Sequence, residues 1–426
     1  MLPQFRKNPP EFAWKMAQQY GDVVHLRLAN QNAYIVSDPE VIRDVLVTQQ
    51  NNFTKSRILE RARVLLGEGL LTSEGELHTR QRRLVQPAFH RDRLIRYAAD
   101  MVACSERARA ELTAGELDVW HAMTHLTLAI VGRTLFSADV SSDADQIGGA
   151  LTEIFSLFDT LMMPFSEWLM KLPLPAMRKF ERARDQLDRV VYGLIADRRA
   201  SGKDEGDLLS MLLLAQDAEA DGAGMSDKQV RDEALTLLLA GHETTANALS
   251  WCWHLLARNP GTEARFHEEI DRVLGGRLPG FDDVLRLPYT YGVFAESLRL
   301  YPPAWGVGRR VKADYKIGEY VLPARSIVLM SPYAVHRDAR WFADPLKFEP
   351  ARWMKEDSRP KFSYFPFGGG ARVCIGERFA WAEGVLVLAT LGQKWRFRAV
   401  NDQPIETKAA ITLRPKHGIQ MRAELR

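Results

Sequence analysis

The sequence predicts a mainly helical protein with a small β portion, organised as one large domain over residues 1–426. Three observations lead to this fold class. Apolar residues recur at helical spacing through most of residues 38–257. Strand-like alternation is confined to short runs, and neither βαβ alternation nor a glycine-rich phosphate loop is present. No repeat, low-complexity linker or Gly/Ser hinge divides the chain.

The predicted elements follow in order along the chain. A helix is expected over about residues 10–20, and Val23–Leu28 and Ala33–Val36 alternate like the strands of a hairpin. Helices dominate from Asp38, with the clearest breaks at 141–145 and 200–207, where small and polar residues cluster. Beyond them the sequence predicts helices at about 261–274 and 289–300, a β-like run at 326–330, a helix from about 377 and a short β tail.

The longest predicted helix covers residues 226–257. Ser226 and Gln229 have the spacing of a capping box at its start, and Asn259-Pro260 closes it. At about 1.5 Å per residue, such a helix spans nearly the width of the domain.

Composition narrows the classes of function. With 46% hydrophobic and 26% charged residues in a chain of 426, the protein has the composition of a soluble globular protein. Its 57 basic and 54 acidic residues give a net charge of +3, so nucleic acid is not expected as the main partner. Cys104, Cys252 and Cys374 have no zinc spacing, and at least one must be unpaired, which favours a reducing compartment. No N-terminal apolar run is long enough for a signal peptide or membrane anchor, so we expect a cytoplasmic protein.

The most informative segment runs from Phe365 to Ala380 and places Cys374 between a glycine-rich loop and a predicted helix. Backbone N–H groups brought close by the glycines, together with the positive end of the helix, would stabilise a thiolate, which is a good axial ligand for haem iron. Arg372 could pair with a haem propionate and Phe367 could shield the sulfur. A lone cysteine in such a turn is more often inert, but here every fixed site of F-x-x-G-x-R-x-C-x-G is matched.

With this motif the chain resembles the cytochrome P-450 superfamily of haem-thiolate monooxygenases. The resemblance implies the family's fold, with haem b between the long central helix and the helix after the cysteine, and Cys374 as the axial ligand of the iron. It implies that one oxygen atom of O₂ is inserted into a hydrophobic fatty-acid-, terpenoid- or steroid-like substrate. Two electrons would come from a ferredoxin or flavodoxin with its reductase, since no reductase domain is visible. We expect a monomer.

The long helix carries a polar cluster inside an apolar stretch. The Thr244 hydroxyl can return to the carbonyl of Ala240 and loosen the helical ladder, and Gly241 leaves room for a small ligand. This segment matches the family's [AG]-G-x-[DE]-T, so the resemblance implies that Glu243 and Thr244 relay protons to bound dioxygen. Polar residues in a helix otherwise form a buried hydrogen-bond network, but the cysteine motif favours the catalytic interpretation.

Glu296 and Arg299 form an E-x-x-R pair one helical turn apart, which alone is a weak signal. In the family this pair is joined by an arginine from an F-x-P-x-R segment. Phe348-Glu-Pro-Ala-Arg352-Trp353 matches that segment, with Trp353 following where Phe is usual. The resemblance therefore implies a triad of Glu296, Arg299 and Arg352 that supports the cysteine loop without taking part in the chemistry.

Two further matches concern the haem propionates. His78 and Arg82 fit the family's [WH]-x-x-x-R helix, with His at a place often held by Trp. Arg309 fits another propionate-binding position, although Arg310 beside it is an alternative. For each of these arginines, an ordinary solvated surface charge is the competing interpretation.

The resemblance also implies which segments line the distal pocket: 57–72, 155–165, Ala240, 303–307 and 409–411. Their side chains are mostly apolar, including Phe155, Phe158, Leu161, Met162, Trp305 and Ile411. Aromatic and Met residues at helical spacing are more often core residues, and lipid-like or terpenoid substrates fit this set best.

The basic side chains after residue 79 suggest where an acidic electron donor would dock. The arginines concerned are Arg80, Arg82, Arg83, Arg91, Arg93 and Arg96. An ordinary solvated basic face is the alternative. Two other functions stay open: a peroxide-driven peroxygenase, which the Glu243-Thr244 pair argues against, and a haem-based sensor, for which no appended signalling segment is present.

Overall fold

The computed structural model describes residues 2–28, 31–138, 146–150, 153–154, 174–215, 224–355 and 358–426. Phe155, Phe158, Leu161 and Met162, predicted to line the pocket, lie outside these ranges, as does the predicted break at 141–145. Within them the α-helices are α1 (Leu2–Lys7), α2 (Pro9–Tyr20), α3 (Pro39–Arg43), α4 (Arg57–Leu66), α5 (Gly75–Val85), α6 (Arg91–Glu111), α7 (Val119–Phe136), α8 (Pro175–Ser201), α9 (Leu208–Leu214), α10 (Asp227–Arg258), α11 (Pro260–Leu274), α12 (Pro288–Leu300), α13 (Pro332–Val335) and α14 (Glu377–Gly392). No helix in the described ranges has both the length and the hydrophobicity needed to cross a lipid bilayer.

The chain forms two compact units. The first unit consists of Met1–Ser56, Ser105–His121 and Thr244–Arg426, and the second of Arg57–Cys104 and Ala122–Glu243. Helices α6, α7 and α10 each contribute residues to both. The mainly helical fold class is confirmed.

The β portion belongs to the first unit. Its strands are β1 (Val23–Leu28), β2 (Gln31–Val36), β3 (Phe53–Lys55), β4 (Gly115–Asp118), β5 (Val307–Val311), β6 (Tyr315–Ile317), β7 (Tyr320–Leu322), β8 (Ile327–Met330), β9 (Trp395–Ala399), β10 (Thr407–Ala409), β11 (Leu413–Pro415) and β12 (Gln420–Leu425). The largest sheet has the order β1-β2-β8-β5-β3, in which β2 and β8 are parallel and the other pairs are antiparallel. A second sheet places β12 between β4 and β9.

Local sequence signals predicted several elements correctly. The β1–β2 hairpin pairs Val23 with Val36 in an antiparallel register. The capping box is present, because the Ser226 amide donates to Gln229 Oε1 at 2.9 Å and the Gln229 amide donates to Ser226 Oγ at 3.3 Å. Two strands were missed within the predicted helical stretch, β3 and β4. Each has only three or four residues and exists because a distant strand, β5 or β12, supplies its hydrogen bonds.

The core of the first unit surrounds two helices that are apolar on nearly all sides. Every residue of α12 from Tyr289 to Leu300 except Tyr291 is buried, and so is α14 from Ala382 to Gly392. Gly384 allows these helices to approach closely, since a Cβ there would lie 2.5 Å from the Phe294 ring. Burial of this kind fixes α14, and the cysteine loop leads directly into it.

Candidate active site

Cys374 lies where the glycine-rich loop meets α14, two residues before the residue that caps the helix, Gly376. It is the exposed cysteine, whereas Cys104 and Cys252 are buried. Its amide donates to the carbonyl of Phe367 at 2.9 Å, which closes the loop on itself. The sulfur is thus presented at a helix N-terminus, where the helix dipole favours the thiolate.

The loop can take this shape only with glycine at particular positions. Gly368 and Gly370 have φ values of +72° and +70°, in the left-handed region that side chains disfavour. A Cβ on Gly370 would also lie 1.9 Å from the carbonyl oxygen of Leu46. The glycines are therefore required by backbone conformation and by close packing.

Side chains from distant parts of the first unit hold the loop in place. Gln50 Oε1 accepts the Ala371 amide at 3.0 Å, and His336 Nε2 accepts the Phe365 amide at 3.0 Å. Accepting at Nε2 requires His336 to be neutral with its proton on Nδ1. Burial, reinforced by the charges of Arg299 and Arg337, holds the pKa of His336 well below its usual range, so this acceptor persists. The sequence analysis missed both Gln50 and His336.

An aromatic group supports the other side of the loop. The Phe367 ring lies 5.6 Å from that of Trp381 on α14, and Trp381 stacks on Tyr291 at 4.3 Å. Phe367 is half-buried within the loop, and Arg372 is half-buried in its 3-10 turn Gly370–Arg372. The aromatic contacts fix the Phe367 ring beside the loop that presents Cys374.

The structure brings Glu296, Arg299 and Arg352 together. Arg299 Nε and Nη2 each donate to the Glu296 carboxylate at 2.8 Å, and Arg352 Nε donates to Oε1 at 3.0 Å. The Glu296 and Arg299 side chains are fully buried. Trp353 adds a fourth bond, its indole N–H donating to Glu296 Oε2 at 2.9 Å, which phenylalanine could not do.

Arg299 connects this ion-pair network to His336, one of the side chains that hold the cysteine loop. Arg299 Nη1 donates to the carbonyl of His336 at 2.7 Å, and the His336 ring in turn holds Phe365. Removal of one partner from such a buried ion pair typically costs 3–5 kcal/mol, about a third or more of a typical folding free energy. The triad is thereby placed in the framework of the loop, as the resemblance implied.

The middle of α10 has one open face. Ala240 is exposed and Gly241 and Thr244 are half-buried, although the residues before and after them are almost all buried. Positions i, i+1 and i+4 lie on the same side of a helix, so these three form a continuous patch. Glu243 is 9% exposed and lies outside this patch, beside Thr244 in sequence.

Two buried residues of the second unit shape the same part of α10. A Cβ on Gly241 would lie 3.0 Å from Val131 Cγ2, so glycine is needed for close packing on α7. Thr127, also on α7, donates its hydroxyl to the His242 carbonyl at 3.0 Å. His242 itself donates from Nδ1 to the Leu238 carbonyl, and burial lowers its pKa to about 4, so the ring is neutral near pH 7. Thr127 was missed because nothing in the local sequence relates α7 to α10.

The predicted propionate-binding residues fall into both units. In the second unit, His78 is buried and Arg82 is half-buried on α5. His78 Nδ1 lies 3.2 Å from the Leu70 carbonyl oxygen and 3.4 Å from Ser73 Oγ, so this ring nitrogen is within hydrogen-bond distance of two groups of the second unit.

In the first unit, the two candidate arginines of β5 differ in burial. Arg309 is 8% exposed and Arg310 is half-buried, because neighbours on a strand face opposite ways. Directly opposite Arg309 on β3 lies Lys55, which is 5% exposed and was missed by the sequence analysis. Lys55 and Arg309 thus place two buried positive charges opposite each other on adjacent strands.

Two of the predicted pocket segments in the first unit lie against each other. Trp305 donates its indole N–H to the Ala410 carbonyl at 3.1 Å, and Leu413 donates its amide to the Pro303 carbonyl at 2.9 Å. Trp305 and Ile411 are half-buried. The segments 303–307 and 409–411 thus form one surface.

Comparison with known sequences decides the family. The sequence model described as Cytochrome P-450 matches residues 1–422. The chain belongs to the cytochrome P-450 family. It is accordingly a haem-thiolate monooxygenase that binds haem b and inserts an oxygen atom from O₂ into an organic substrate, with electrons from a redox partner.

Several relatives align over most of their length. Cyclooctatin synthase of Streptomyces melanosporofaciens is 43% identical over 92% of this chain and 87% of the relative. Cyclooctat-9-en-7-ol 5-monooxygenase of the same organism is 39% identical over 89% and 83%. Pentalenene oxygenase of Streptomyces avermitilis is 34% identical over 99% and 94%.

The residues of this P-450 fit haem. An exposed thiol at a helix N-terminus suits an iron ligand, and the buried cation pair of Lys55 and Arg309 suits a propionate. The small residues Ala240 and Gly241 leave an open patch on α10.

Proposed function

We propose that this P-450 hydroxylates a cyclic terpenoid. Three relatives that align with most of the chain carry names that refer to cyclooctatin, cyclooctat-9-en-7-ol and pentalenene. The apolar character of the pocket segments, with Trp305 and Ile411 among them, supports a hydrocarbon-rich substrate. The observation that carries the reaction class is the exposed Cys374 thiol at the N-terminus of α14.

In this proposal each residue has a defined task. When bound, haem supplies the binding and reductive activation of O₂. Cys374 would supply the thiolate ligand of the haem iron, and the hydrogen bonds of its loop keep the sulfur oriented. Phe367 shields the sulfur from water, and its contact with Trp381 fixes the ring. Arg309 and Arg372 hold propionates, to which we add Lys55.

Helices α5 and α10 carry the other residues to which we assign a role. Arg82 and His78 are the α5 residues that would donate to a propionate. The open patch of Ala240 and Gly241 leaves space for haem and a small ligand. The Thr244 hydroxyl would donate a proton at this patch during O₂ activation, and the Glu243 carboxyl would resupply that proton.

We propose a ferredoxin or flavodoxin, with its reductase, as the electron donor. Part of the predicted basic face has a structural task, since Arg93 and Arg96 donate to the backbone carbonyls of Glu205 and Gly206. Arg91 is exposed, and Arg80 is half-buried on α5. The docking proposal therefore concentrates on Arg80 and Arg91.

We also propose a domain organisation, a location and an oligomeric state. The match of one family sequence model to residues 1–422 supports a single functional domain. The odd number of cysteines, without zinc spacing, favours a reducing, cytoplasmic location. A monomer remains our prediction for the oligomeric state.

The reaction class is tested spectroscopically. The reduced carbon-monoxide complex should show the red-shifted Soret band of a thiolate ligand, and Cys374→His should lose it while Cys104→Ser keeps it. An unchanged spectrum in Cys374→His would contradict the assignment of the axial ligand.

The substrate class is tested by spectral titration with cyclic terpenoid hydrocarbons beside fatty acids and steroids of similar size. Product formation with an electron donor is then compared with product formation from peroxide alone. Terpenoid binding and donor-dependent hydroxylation would support the proposal. Peroxide-driven turnover without a donor requirement would favour a peroxygenase.

A further inference from the structure

The connection between α4 and α5 is held by acidic side chains of α10, all within the second unit. The Glu68 amide donates to Asp232 Oδ2 at 3.0 Å, and the Leu70 amide donates to Glu233 Oε2 at 3.0 Å. Asp232 and Glu233 are almost completely buried. Two consecutive carboxylates of one helix thus bind alternate amides of one loop.

The carbonyl groups of the same two loop residues are also bound, in this case by α5. Gln81 Nε2 donates to the Glu68 carbonyl at 2.7 Å, and His78 Nδ1 lies within hydrogen-bond distance of the Leu70 carbonyl oxygen, at 3.2 Å. Both peptide edges of Glu68 and Leu70 therefore contact side chains of the surrounding helices. Gly67 and Gly69 have no side chains that could pack and hold the loop. Its conformation therefore depends on its contacts with those helices.

The loop lies so close to α10 that only glycine fits. A Cβ on Gly69 would lie 2.2 Å from Thr236 Oγ1 and 2.5 Å from the Asp232 carbonyl oxygen. A Cβ on Gly67 would lie 2.1 Å from the Asp232 carboxylate, and its φ of +59° also favours glycine. Contact at this distance fixes the loop on the surface of α10.

One of the two anchoring carboxylates, Asp232, is itself held by cations. Arg231 Nη1 donates to Asp232 Oδ1 at 2.9 Å and to the Leu65 carbonyl at 3.0 Å, and it also pairs with Asp188 on α8. Lys228 Nζ lies 2.6 Å from Asp232 Oδ2. These cations stabilise the buried negative charge and leave its oxygens oriented towards the loop.

The position of the anchor along α10 relates it to the open patch. Glu233 and Ala240 are seven residues apart, so they lie on the same side of the helix, about 10 Å apart along its axis. The loop seated on Glu233 therefore lies two turns before the patch of Ala240 and Gly241. Residues 57–72 are also among the segments predicted to line the substrate pocket.

We propose that Asp232 and Glu233 are positioning residues that fix the 67–72 loop and thereby set how large a ligand this P-450 accepts. The inference rests on the proposed function only in placing the substrate beside the open patch of α10. When both carboxylates are present, they hold the 67–72 loop in one conformation, which limits the space for a ligand. When either carboxylate is replaced, the loop can move and make room for bulky ligands, while small ligands bind as they do to wild type.

The first test is hydrogen–deuterium exchange of holoenzyme peptides that cover residues 67–72. Glu233→Gln and Asp232→Asn replace a charged acceptor by a weaker neutral one, so these amides should exchange at least about fivefold faster. Asp227→Asn is the matched control, because it makes the same chemical change on the same helix at an exposed site. Unchanged exchange in both anchor variants would overturn the proposal.

The second test measures ligand size selection with two azoles, whose nitrogen binds haem iron. The dissociation constant of bulky clotrimazole should fall at least about fivefold in the anchor variants, whereas that of imidazole should stay within about twofold. Gly69→Ala, which displaces the loop but keeps both carboxylates, should reproduce this split. Faster exchange with an unchanged ratio of the two constants would limit the anchor to a structural role and overturn the proposal.

These tests separate this inference from the proposed function. If the wild-type carbon-monoxide complex lacks the thiolate Soret band, the proposed function fails. If wild type and all variants have that band, the exchange rates and azole constants decide the role of the loop anchor alone.

Discussion

Glu383 on α14 is a buried acidic residue, and the fold does little to stabilise a negative charge on it. It is fully buried, and neither carboxyl oxygen has a hydrogen-bond partner among the described residues. Burial raises the pKa of Glu383 from 4.5 to about 8, against a smaller lowering influence of the Thr245 side chain. The acid is therefore protonated in the folded protein near pH 7.

The size of the effect follows from this shift. Between the two pKa values of 4.5 and about 8, the unfolded chain releases the proton while the folded chain retains it. The unfolded state then binds fewer protons, so stability falls as pH rises, by about 1.4 kcal/mol per pH unit. The contribution is fully present below the unfolded pKa and is lost as pH rises towards the folded one. From pH 5 to pH 7 the loss is roughly 2–3 kcal/mol.

The matched experiment is Glu383→Gln, which keeps the shape of the side chain and removes its titration. We expect the stability of the variant relative to wild type to increase by about 1.4 kcal/mol per pH unit between pH 5 and 7.5. Urea unfolding followed by circular dichroism at several pH values measures this difference. Glu319→Gln, at an exposed position, is the control, and its stability should vary with pH in the same way as that of wild type. A stability difference for Glu383→Gln that does not vary with pH would refute the reasoning.

Three further predictions concern the site and its framework. Trp353→Phe removes the indole donor to Glu296, so thermal unfolding should show a loss of about 1.5–3 kcal/mol; an unchanged midpoint would contradict a role for that bond. Thr244→Ala should retain haem and substrate binding but release more hydrogen peroxide per electron pair, and equal coupling of electrons to product would argue against the proton relay. Arg91→Glu and Arg80→Glu should raise the Michaelis constant for the electron donor and leave substrate affinity unchanged, while salt should slow electron transfer in wild type. Donor kinetics indifferent to salt and to both reversals would place the docking face elsewhere.

Local patterns in the sequence were sufficient for the fold class and for the family. The capping box at Ser226 and Gln229 and the β1–β2 hairpin involve residues close in the chain, and the structure confirms them. The cysteine motif is equally local, since Gly368, Gly370 and Cys374 determine one loop. Such patterns are readable because neighbouring residues meet in almost any fold that contains the element.

Only the tertiary structure identified the residues that support these motifs. His336 reaches Phe365 across 29 residues, Thr127 reaches His242 across 115, and Glu233 reaches Leu70 across 163. A lone histidine, threonine or glutamate has no local signature of such a bond, because its partner is chosen by the packing of whole helices and strands. The pairing of Lys55 with Arg309 has the same origin, since a three-residue strand becomes a strand only through its distant neighbour. The sequence by itself determined which chemistry the chain can perform, and long-range packing decided which side chains hold the reacting groups in position.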